Sequence, residues 1–328
     1  MAKYKIVISD YYYPDLKNEY EVFQRLGDDV EIVDCTKIIP GGALSEEQLI
    51  PFVKDSDAVI VQFAKITDKV IDSMKKCKVI ARYAIGIDTI DLQAAIRKNI
   101  YVANVPNYCE NEVADTTLAH ILNSMRKISF SRDLLLRGDY TFDKIKPMKR
   151  ISQSTLCLIG FGKIAQNVAK KAKDIFKEIL AVDPYFLNTD QFPYVSFLPL
   201  EKALALANVI SIHVPLNNTT KNLISKKEFE LMRDGVVIVN TSRGGIIDEK
   251  AMQESLDTGK ISFCSLDVIS TEDFMNSPLL KNPRVALTPH IGWYSEESIE
   301  ELQRTTAENV VEALLNGKPL YFVRQEGI

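Results

Sequence analysis

The chain has 328 residues, of which 40 are lysine or arginine and 44 are aspartate or glutamate, so its formal net charge at pH 7 is −4. It contains no basic run that would favour nucleic acid, and no uncharged apolar stretch near the roughly 18 residues that a membrane span needs. The length allows two domains, each with its own core. We therefore expect a two-domain protein with neither a nucleic-acid nor a membrane partner.

The N-terminal residues and the cysteines indicate in which cellular compartment the protein is found. Residues 1–10 read as a first strand and lack the pattern of a signal peptide. The five cysteines are odd in number and form no C-x-x-C pair, which indicates reduced thiols in a cytoplasmic protein. The three histidines are scattered, so we expect no metal site.

Strand-like apolar runs alternate with amphipathic stretches along the chain, and this alternation predicts parallel α/β sheets. The first set of predicted strands is 5–9, 30–34, 58–63, 79–83 and 101–105. The second set is 155–159, 178–182, 209–214, 236–240, 263–268 and 285–288. The fold class is therefore α/β, with two doubly wound parallel-sheet domains and a ligand cleft expected between them.

Two long helical patterns complete the organisation. The first, at about 112–137, lies between the two sets of strands and is expected to cross between the domains. The second, at about 296–316, is stopped by Gly317 and Pro319. Because it follows the last predicted strand, we expect it to return to the first domain.

The segment 155–165 carries the clearest functional signal. An apolar strand stops at Gly160, which permits a tight turn, and Gly162 would let a pyrophosphate approach the backbone at the start of a helix. Ala165 is a third small residue, and Asp183 ends the next strand, where it can bind ribose hydroxyls. Strand, helix and acid together form the spacing of a dinucleotide fingerprint.

Asp183 also favours one cofactor over another. Pro184, Tyr185 and Phe186 follow it, and no lysine or arginine is near. The 2′-phosphate of NADP would lie against the carboxylate, and two like charges about 4 Å apart repel by roughly 4 kcal/mol at an effective dielectric of 20. The sequence therefore predicts NAD.

Three segments that end predicted strands of the second domain carry reactive side chains. Arg243 has a planar, permanent charge suited to a substrate carboxylate and carbonyl. His290 is suited to donate a proton near neutral pH, and Glu272 would favour its charged form. Reduction of a ketone by hydride needs these three roles, so the set predicts a dehydrogenase.

Each of these residues has an ordinary structural alternative, and two other histidines compete for the acid role. Alone, an arginine or glutamate is usually a surface residue, and a histidine is usually structural. His120 falls in an apolar part of a helix, which favours packing. His213 ends a strand and is expected to line the cofactor cleft. The shared placement of Arg243, Glu272 and His290 at strand ends favours the catalytic interpretation.

The motifs resemble those of the D-2-hydroxyacid dehydrogenase family over nearly the whole chain. They are Ala81–Asp88, Asn104–Pro106, Glu112–Asp115, the glycine fingerprint, His213–Leu216, Val239–Asp248, Leu266–Val268 and Thr288–Gly292. The segment Trp293–Glu296 is closer to the C-terminal binding protein branch, which includes corepressors and phosphoglycerate dehydrogenase-like proteins.

This resemblance implies a flavodoxin-like substrate domain, residues 1–103 plus 292–328, and an inserted Rossmann NAD domain, residues 104–291, which holds a homodimer together. It implies Arg243, Glu272 and His290 as the catalytic set. The expected cofactor-binding residues are Gly160, Gly162, Lys163, Ile164, Asp183, His213, Val214, Pro215, Thr241, Ser242, Asp267 and Gly292. The expected substrate-binding residues are Ile85, Gly86, Gln62, Phe63, Tyr108 and Trp293.

Several positions depart from the family pattern and bear on the substrate. Ala84 replaces a glycine of the substrate loop, Thr89 an asparagine, and Asp273 a proline after the catalytic glutamate. Gln62 replaces an arginine that is common in phosphoglycerate-type members, although Lys65 is close in sequence. Loss of that cation argues against a phosphorylated substrate.

The leading hypothesis is an NAD-dependent D-2-hydroxyacid dehydrogenase that works as a reductase of a small 2-keto acid. Phosphoglycerate dehydrogenase is the alternative within the same enzyme class. An NAD(H)-sensing, corepressor-like binding protein is the alternative from another class, and it rests on residues 293–296.

Overall fold

The computed structural model describes residues 3–139, 141–271 and 273–323. The chain divides into two compact units. The first consists of Met1–Tyr108 and Ser295–Ile328, and the second of Cys109–Tyr294. The sequence-based domain limits, 103/104 and 291/292, stay a prediction.

The first unit is built on one parallel sheet. Its strands are β1 (Tyr4–Ile8), β2 (Val30–Asp34), β3 (Ala58–Val61), β4 (Val79–Arg82) and β5 (Tyr101–Ala103). Its helices are α1 (Lys17–Phe23), α2 (Glu46–Val53), α3 (Asp68–Ser73), α4 (Leu92–Arg97) and, from the end of the chain, α12 (Glu296–Asn316). The strand order is β2-β1-β3-β4-β5, with all pairs parallel. This is the flavodoxin-like order.

The central strands of this sheet are apolar along their whole length because helices cover both faces of a parallel sheet. All four residues of β3 are buried, and so are all four of β4. Helix α12 begins at the capping box of Ser295 and ends at Gly317, whose φ is 78°. It packs against α1 and β4, so the last helix belongs to the first unit, as predicted.

The second unit contains a larger parallel sheet. Its strands are β6 (Thr155–Ile159), β7 (Glu178–Val182), β8 (Val195–Phe197), β9 (Val209–Ile212), β10 (Val236–Asn240), β11 (Ile261–Leu266) and β12 (Val285–Leu287). Its helices are α5 (Glu110–Arg126), α6 (Ile128–Leu136), α7 (Lys163–Ala172), α8 (Leu200–Leu206), α9 (Lys226–Leu231), α10 (Glu249–Asp257) and α11 (Pro278–Lys281). The order is β12-β11-β10-β9-β6-β7-β8. The sequence missed β8, a three-residue edge strand.

The strand order of the second unit places a topological switch point between β6 and β9, from which the order runs outward in both directions. Ligands of open α/β sheets bind at such a point, beyond the carboxyl ends of the strands. The predicted class of two parallel-sheet α/β domains is confirmed.

The prediction of one long helix at 112–137 is wrong, because the structure has two helices there. Lys127 separates α5 from α6 with a left-handed backbone, φ 51°. Its ammonium group donates a hydrogen bond to the carbonyl of Ile145, 2.9 Å away. The apolar periodicity of the sequence continues through Lys127, so it does not reveal the break. Helix α5 lies wholly in the second unit and does not cross between the units, although the sequence predicted that it would.

Candidate active site

The glycine turn after β6 forms the switch point. Gly160 has φ 87°, and a Cβ there would come within 2.7 Å of the carbonyl oxygen of His213. Only glycine therefore lets the β6 and β9 loops approach each other this closely. Ala165 is fully buried and lets α7 pack on the sheet.

The start of α7 fits a dinucleotide pyrophosphate. Gly162 is the N-cap residue of the ten-residue α7. No described heavy atom outside its chain neighbours lies within 4 Å of the position that a Cβ at Gly162 would take. The backbone of Lys163 and Ile164 follows at the positive end of the helix dipole. This open, cationic helix end can accept the negative charge of a pyrophosphate.

Asp183 follows β7 and supports the glycine turn. One carboxylate oxygen accepts the N–H of Phe161 at 2.8 Å, and the other accepts the N–H of Tyr185 at 2.9 Å. A carboxylate can accept about four hydrogen bonds, so capacity remains for ribose hydroxyls. The residue therefore both shapes the turn and can recognise the cofactor.

Replacing Asp183 with alanine is expected to lower the ratio of kcat/KM with NADH to kcat/KM with NADPH by about 10²- to 10³-fold, because repulsion of the 2′-phosphate is lost. Steady-state kinetics with both cofactors measures the ratio. Glu178→Ala, at the amino end of the same strand, is the control and should leave the ratio unchanged. A ratio that stays at the wild-type value in Asp183→Ala would contradict the assignment.

Three neighbouring strands bring the predicted catalytic segments to one edge of the sheet. The parallel register aligns Asn240 of β10 with Leu266 of β11, and Leu266 with Leu287 of β12. Arg243 and His290 each follow three residues after the end of their strand, and Asp267 follows Leu266 directly. Neighbouring strands lie about 4.8 Å apart, so these segments leave the sheet side by side.

The buried side chain of Asn240 shapes the loop that carries Arg243. Its carbonyl oxygen accepts hydrogen bonds from the N–H and hydroxyl of Ser242, at 3.0 and 2.7 Å. Its amide donates to the carbonyl of Arg243 at 2.9 Å. The guanidinium of Arg243 donates to the carbonyl of Ser242 at 2.8 Å. Thr241, on the same loop, lies 2.7 Å from the hydroxyl of Thr117 in α5.

Gly244 allows a close approach next to this loop. A Cβ at Gly244 would lie 2.0 Å from the carbonyl carbon of Ile269. The backbone after β11 therefore packs directly against the arginine loop, which any side chain at 244 would prevent. Glu272, the predicted partner of His290, lies outside the described residues.

His290 lies in a constrained loop after β12. Its φ is 54°, a left-handed conformation that non-glycine residues adopt at a cost of about 1–3 kcal/mol. Its N–H donates to the carbonyls of Asp267 and Thr288, at 2.9 and 3.0 Å. Its own carbonyl accepts the indole N–H of Trp293 at 2.9 Å. Trp293, predicted to bind substrate, thus also braces the histidine.

The buried carboxylate of Asp267 organises the same loop. It accepts the hydroxyl of Thr288 at 2.5 Å and the N–H groups of Ile291 and Gly292 at 3.0 and 2.8 Å. A Cβ at Gly292 would lie 2.8 Å from this carboxylate. The sequence predicted Asp267 and Gly292 as cofactor contacts, and the structure adds a supporting role for both.

The other two histidines are poor proton donors at neutral pH. Burial lowers the pKa of His213 to about 4, and its Nε2 lies 2.9 Å from the hydroxyl of Ser211. Burial also lowers the pKa of His120, opposed by the charge of Asp267. Both rings are therefore neutral at pH 7, which leaves His290 as the histidine suited to the acid role. Val214 and Pro215 follow His213 at the switch point.

The substrate loop predicted in the first unit follows β4. The carbonyls of residues 84–86 accept hydrogen bonds from the N–H of Val105 at 3.0 Å, the amide of Asn104 at 2.7 Å and the guanidinium of Arg82 at 3.0 Å. Within the described part of the chain, the N–H groups of Ile85 and Gly86 have no hydrogen-bond acceptor. Two such adjacent N–H groups can bind a carboxylate.

The other predicted substrate-binding residues of the first unit differ in how far their side chains are exposed to a ligand. Gln62 is buried, and its amide accepts the N–H of Tyr12 at 2.9 Å and donates to the hydroxyl of Tyr13 at 3.1 Å. Phe63 is 55% exposed, and its N–H is held by the carboxylate of Asp10. Tyr108 is buried at the end of the unit. Phe63 is thus more available to a ligand than Gln62.

Comparison with known proteins assigns the chain to a family. Residues 118–292 match the model of the "D-isomer specific 2-hydroxyacid dehydrogenase, NAD binding domain". A hydroxypyruvate reductase of Thermotoga maritima is 37% identical over 275 residues, 83% of this chain and 88% of that protein. The chain belongs to the D-isomer specific 2-hydroxyacid dehydrogenase family.

Two further similarities bear on length and substrate within this family. A D-3-phosphoglycerate dehydrogenase of Methanocaldococcus jannaschii is 33% identical over 313 residues, 94% of this chain, and the chain spans only 57% of that protein's length. The crystal structure of a glyoxylate reductase from Paecilomyes thermophila has a TM-score of 0.86 at 25% identity, covering 99% of this chain and 100% of that one. The predicted class, an NAD-dependent oxidoreductase of 2-hydroxy acids, is confirmed at the level of the family.

Asn240, Gly244 and Asp267 show what the sequence-based search missed in this member of the family. Asn240 and Gly244 lay inside a recognised motif but had no assigned role, and the support that Asp267 gives to residues 288–292 was not foreseen. A polar residue that ends the otherwise apolar strand β10 is a signal that could have pointed to Asn240. The contact of Gly244 with Ile269 and the contacts of Asp267 with residues 288–292 are not indicated by any local sequence pattern.

The lowered pKa of His213 predicts acid destabilisation. In the unfolded chain the imidazole of His213 is protonated below about pH 6.5, whereas in the folded protein it is protonated only below about pH 4. The unfolded state therefore binds more protons between these two values, and the free energy of unfolding falls as the pH drops from about 6.5 to about 4. The full loss is about 3 kcal/mol. Urea unfolding at pH 7.5 and 5 should show a smaller decrease in His213→Gln than in the wild type. Equal decreases in both proteins would contradict the assignment.

Proposed function

We propose that this protein is a reductase that uses NADH to convert a small, unphosphorylated 2-keto acid into the D-2-hydroxy acid. The observation that carries this proposal is the side-by-side exit of the Arg243, Asp267 and His290 segments from β10, β11 and β12. A guanidinium and an imidazole at one sheet edge, beside a dinucleotide turn, supply the groups that carbonyl reduction needs.

Each proposed catalytic side chain has a distinct task. Bound NADH would supply the hydride to the carbonyl carbon of the substrate. Arg243 binds the carboxylate and polarises the carbonyl through its planar, permanently charged fork. His290 donates a proton to the carbonyl oxygen, and in the oxidation direction it accepts the proton from the hydroxyl. Glu272, proposed from its sequence position alone, favours the charged imidazole.

The cofactor contacts are also a proposal for this chain. The residues after β6, β7 and β9 would bind the pyrophosphate, ribose and adenosine portions, with the helix end at Gly162 and the carboxylate of Asp183 as the main contacts. Thr241, Ser242, Asp267 and Gly292 would meet the nicotinamide portion, since they follow β10, β11 and β12.

The first unit supports a carboxylate but offers little for a phosphate. The N–H groups of Ile85 and Gly86 would bind the substrate carboxylate. Position 62 carries a neutral amide whose two polar ends contact Tyr12 and Tyr13. The neighbouring cation, Arg82, donates to the carbonyls of Gln62 and Gly86 and pairs with Asp88. Phe63, which is 55% exposed, is proposed as an apolar contact of the substrate. A small acid such as glyoxylate, pyruvate or hydroxypyruvate fits this chemistry.

A substrate panel tests the proposal. NADH oxidation is measured with glyoxylate, pyruvate, hydroxypyruvate and 3-phosphohydroxypyruvate, using wild type, Arg243→Ala and His290→Ala. We expect turnover of at least one unphosphorylated acid, and loss of that turnover in both variants. A clear preference for the phosphorylated acid would favour the phosphoglycerate dehydrogenase alternative. Full activity in both variants would remove the catalytic assignments.

The assembly and compartment are proposed as a cytoplasmic homodimer. Ile128, Leu135 and Leu136 of α6 are 61, 60 and 70% exposed, and the nearby Phe142 is 73% exposed. Positions 128, 135 and 136 lie on one face of the helix; exposed apolar side chains on one face are typical of an interface, and a second copy of the chain would cover them. All five cysteines are free and buried, which suits a reducing compartment. Over the described ranges, no helix has the length and apolar character to span a membrane.

Light scattering coupled to size exclusion tests the dimer. The double variant Leu135→Glu/Leu136→Glu is expected to run at half the wild-type mass, because two charges would be buried without partners. Leu187→Glu, at an exposed apolar residue elsewhere in the same unit, should not change the mass. A wild-type protein that is monomeric at micromolar concentration would dismiss the proposal.

A further inference from the structure

His120 lies on α5 beneath the loop that carries His290, and it is only 6% exposed. Its Nδ1 is 2.5 Å from the hydroxyl of Ser265 on β11, and its Nε2 is 3.0 Å from the hydroxyl of Thr288. The ring therefore joins helix α5 to a strand and a loop that lie more than 100 residues later in the chain. A histidine that only filled space would not need both contacts.

The hydrogen bonds continue from Thr288 to the loop. Its hydroxyl donates to Asp267 at 2.5 Å. The same carboxylate accepts the N–H groups of Ile291 and Gly292, the two residues that directly follow His290. These contacts from Ser265 through His120, Thr288 and Asp267 to the two amides form what we call the His120 chain.

The donors and acceptors of the His120 chain determine its proton positions. Thr288 has one hydroxyl proton, which it gives to the carboxylate, so its oxygen must accept a proton from Nε2 of His120. A neutral ring then leaves Nδ1 as an acceptor for the hydroxyl of Ser265. Burial, which lowers the pKa of His120 despite the nearby charge of Asp267, agrees with a neutral ring.

We propose that His120, as the neutral Nε2–H tautomer, is a positioning residue for His290. It orients the Thr288 hydroxyl toward Asp267, and this carboxylate in turn holds the amides that follow the catalytic imidazole. This role rests on the dehydrogenase activity proposed above.

The loop that carries His290 needs this support because its backbone conformation is strained. The φ of 54° at His290 is a conformation that a residue with a Cβ adopts only when its surroundings impose it. Helix α5 supplies a second tie, since the hydroxyl of Thr116 donates to the carbonyl of Gly292 at 3.4 Å. The loop is thus held at its N–H groups by Asp267 and at the C=O group of Gly292 by α5.

Kinetics of buried, isosteric variants tests the role. His120→Leu and Thr288→Val are each expected to lower kcat about 10- to 100-fold, because small displacements of a catalytic group have effects of this size. The KM for NADH should stay within about twofold of the wild type. His120→Gln, which keeps a donor and an acceptor, should recover part of kcat. Ser124→Ala, also buried on α5 four residues later, is the control and should match the wild type.

The double variant His120→Leu/Thr288→Val tests whether the two residues lower kcat through the same hydrogen-bonded chain or independently of each other. If both residues act through one chain, the double variant is no slower than the slower single variant. Effects that multiply would overturn the proposal. So would a lower melting temperature in His120→Leu with unchanged kcat, since that result marks a purely structural residue.

Two measurements without substrate keep the test independent of the proposed activity. In ¹⁵N-histidine spectra at pH 7.5, His120, assigned by comparison with His120→Gln, should carry its proton on Nε2 alone. Amide hydrogen exchange at Ile291 and Gly292 should be at least about tenfold faster in His120→Leu and Thr288→Val than in Ser124→Ala. A proton on Nδ1, or unchanged exchange, would overturn the inference even if the enzyme is active. An inactive wild type, or a fully active His290→Ala, would instead defeat the proposed function.

Discussion

Replacing His290 with glutamine is expected to lower kcat for 2-keto acid reduction by about 10²- to 10⁴-fold, the range that a positioned general acid contributes. Glutamine keeps a polar side chain of similar reach, but its amide is not an acid near neutral pH. The affinity for NADH, measured by fluorescence titration, should change little, because the imidazole is proposed to act on the substrate and not on the cofactor.

His213→Gln is the matched comparison for this result. It makes the same substitution in the same unit, at a ring whose pKa is lowered to about 4 by burial and which is therefore neutral at pH 7. We expect this variant to keep far more of its kcat than His290→Gln. The reverse order would mean that the acid has been assigned to the wrong histidine.

Arg243→Ala is expected to lower kcat/KM for the keto acid by about 10³-fold, through both a higher KM and a lower kcat. The guanidinium is proposed to hold the carboxylate in the ground state and to stabilise charge on the carbonyl oxygen as it develops. Arg243→Lys should recover only a small part, since an ammonium is a point charge without the planar fork. Steady-state kinetics on the three proteins gives these values.

Chemical rescue sharpens the arginine test. Millimolar guanidinium chloride should restore part of the activity of Arg243→Ala and none to Arg243→Lys, whose side chain occupies the space. The loop should stay in place in both variants, because Asn240 binds backbone groups of residues 242 and 243. A lysine variant with wild-type kcat/KM would show that charge alone is needed and that the fork has no role.

Recognition of the cofactor could be predicted from local sequence because its physical requirements are local. A buried apolar strand, glycines where backbone must be approached, and an acid at the end of the next strand lie within 30 residues, and the structure forms β6, α7 and β7 from them. The choice of Arg243 and His290 also rested on local position, since each follows a buried strand.

Other features could not be predicted, because their causes lie far away in the chain. At the break between α5 and α6, the ammonium group of Lys127 donates to the carbonyl of Ile145, 18 residues further along the chain. The interpretation of His120 as a packing residue followed its apolar helical neighbours, whereas its partners are Ser265 and Thr288. Gln62 was interpreted only as the loss of an arginine that is common in phosphoglycerate-type members. The structure shows that its amide is hydrogen-bonded to Tyr12 and Tyr13.

The amino-acid sequence by itself determined the two parallel α/β sheets, the glycine turn after β6 and the types of polar residue that follow the strands, because apolar periodicity, glycine and strand-end polarity act over a few residues. Only the tertiary structure decided that β10, β11 and β12 are neighbours and that α5 supports the loop of His290. Strand order and buried hydrogen bonds are set by contacts between distant segments, and no local pattern encodes which segments meet.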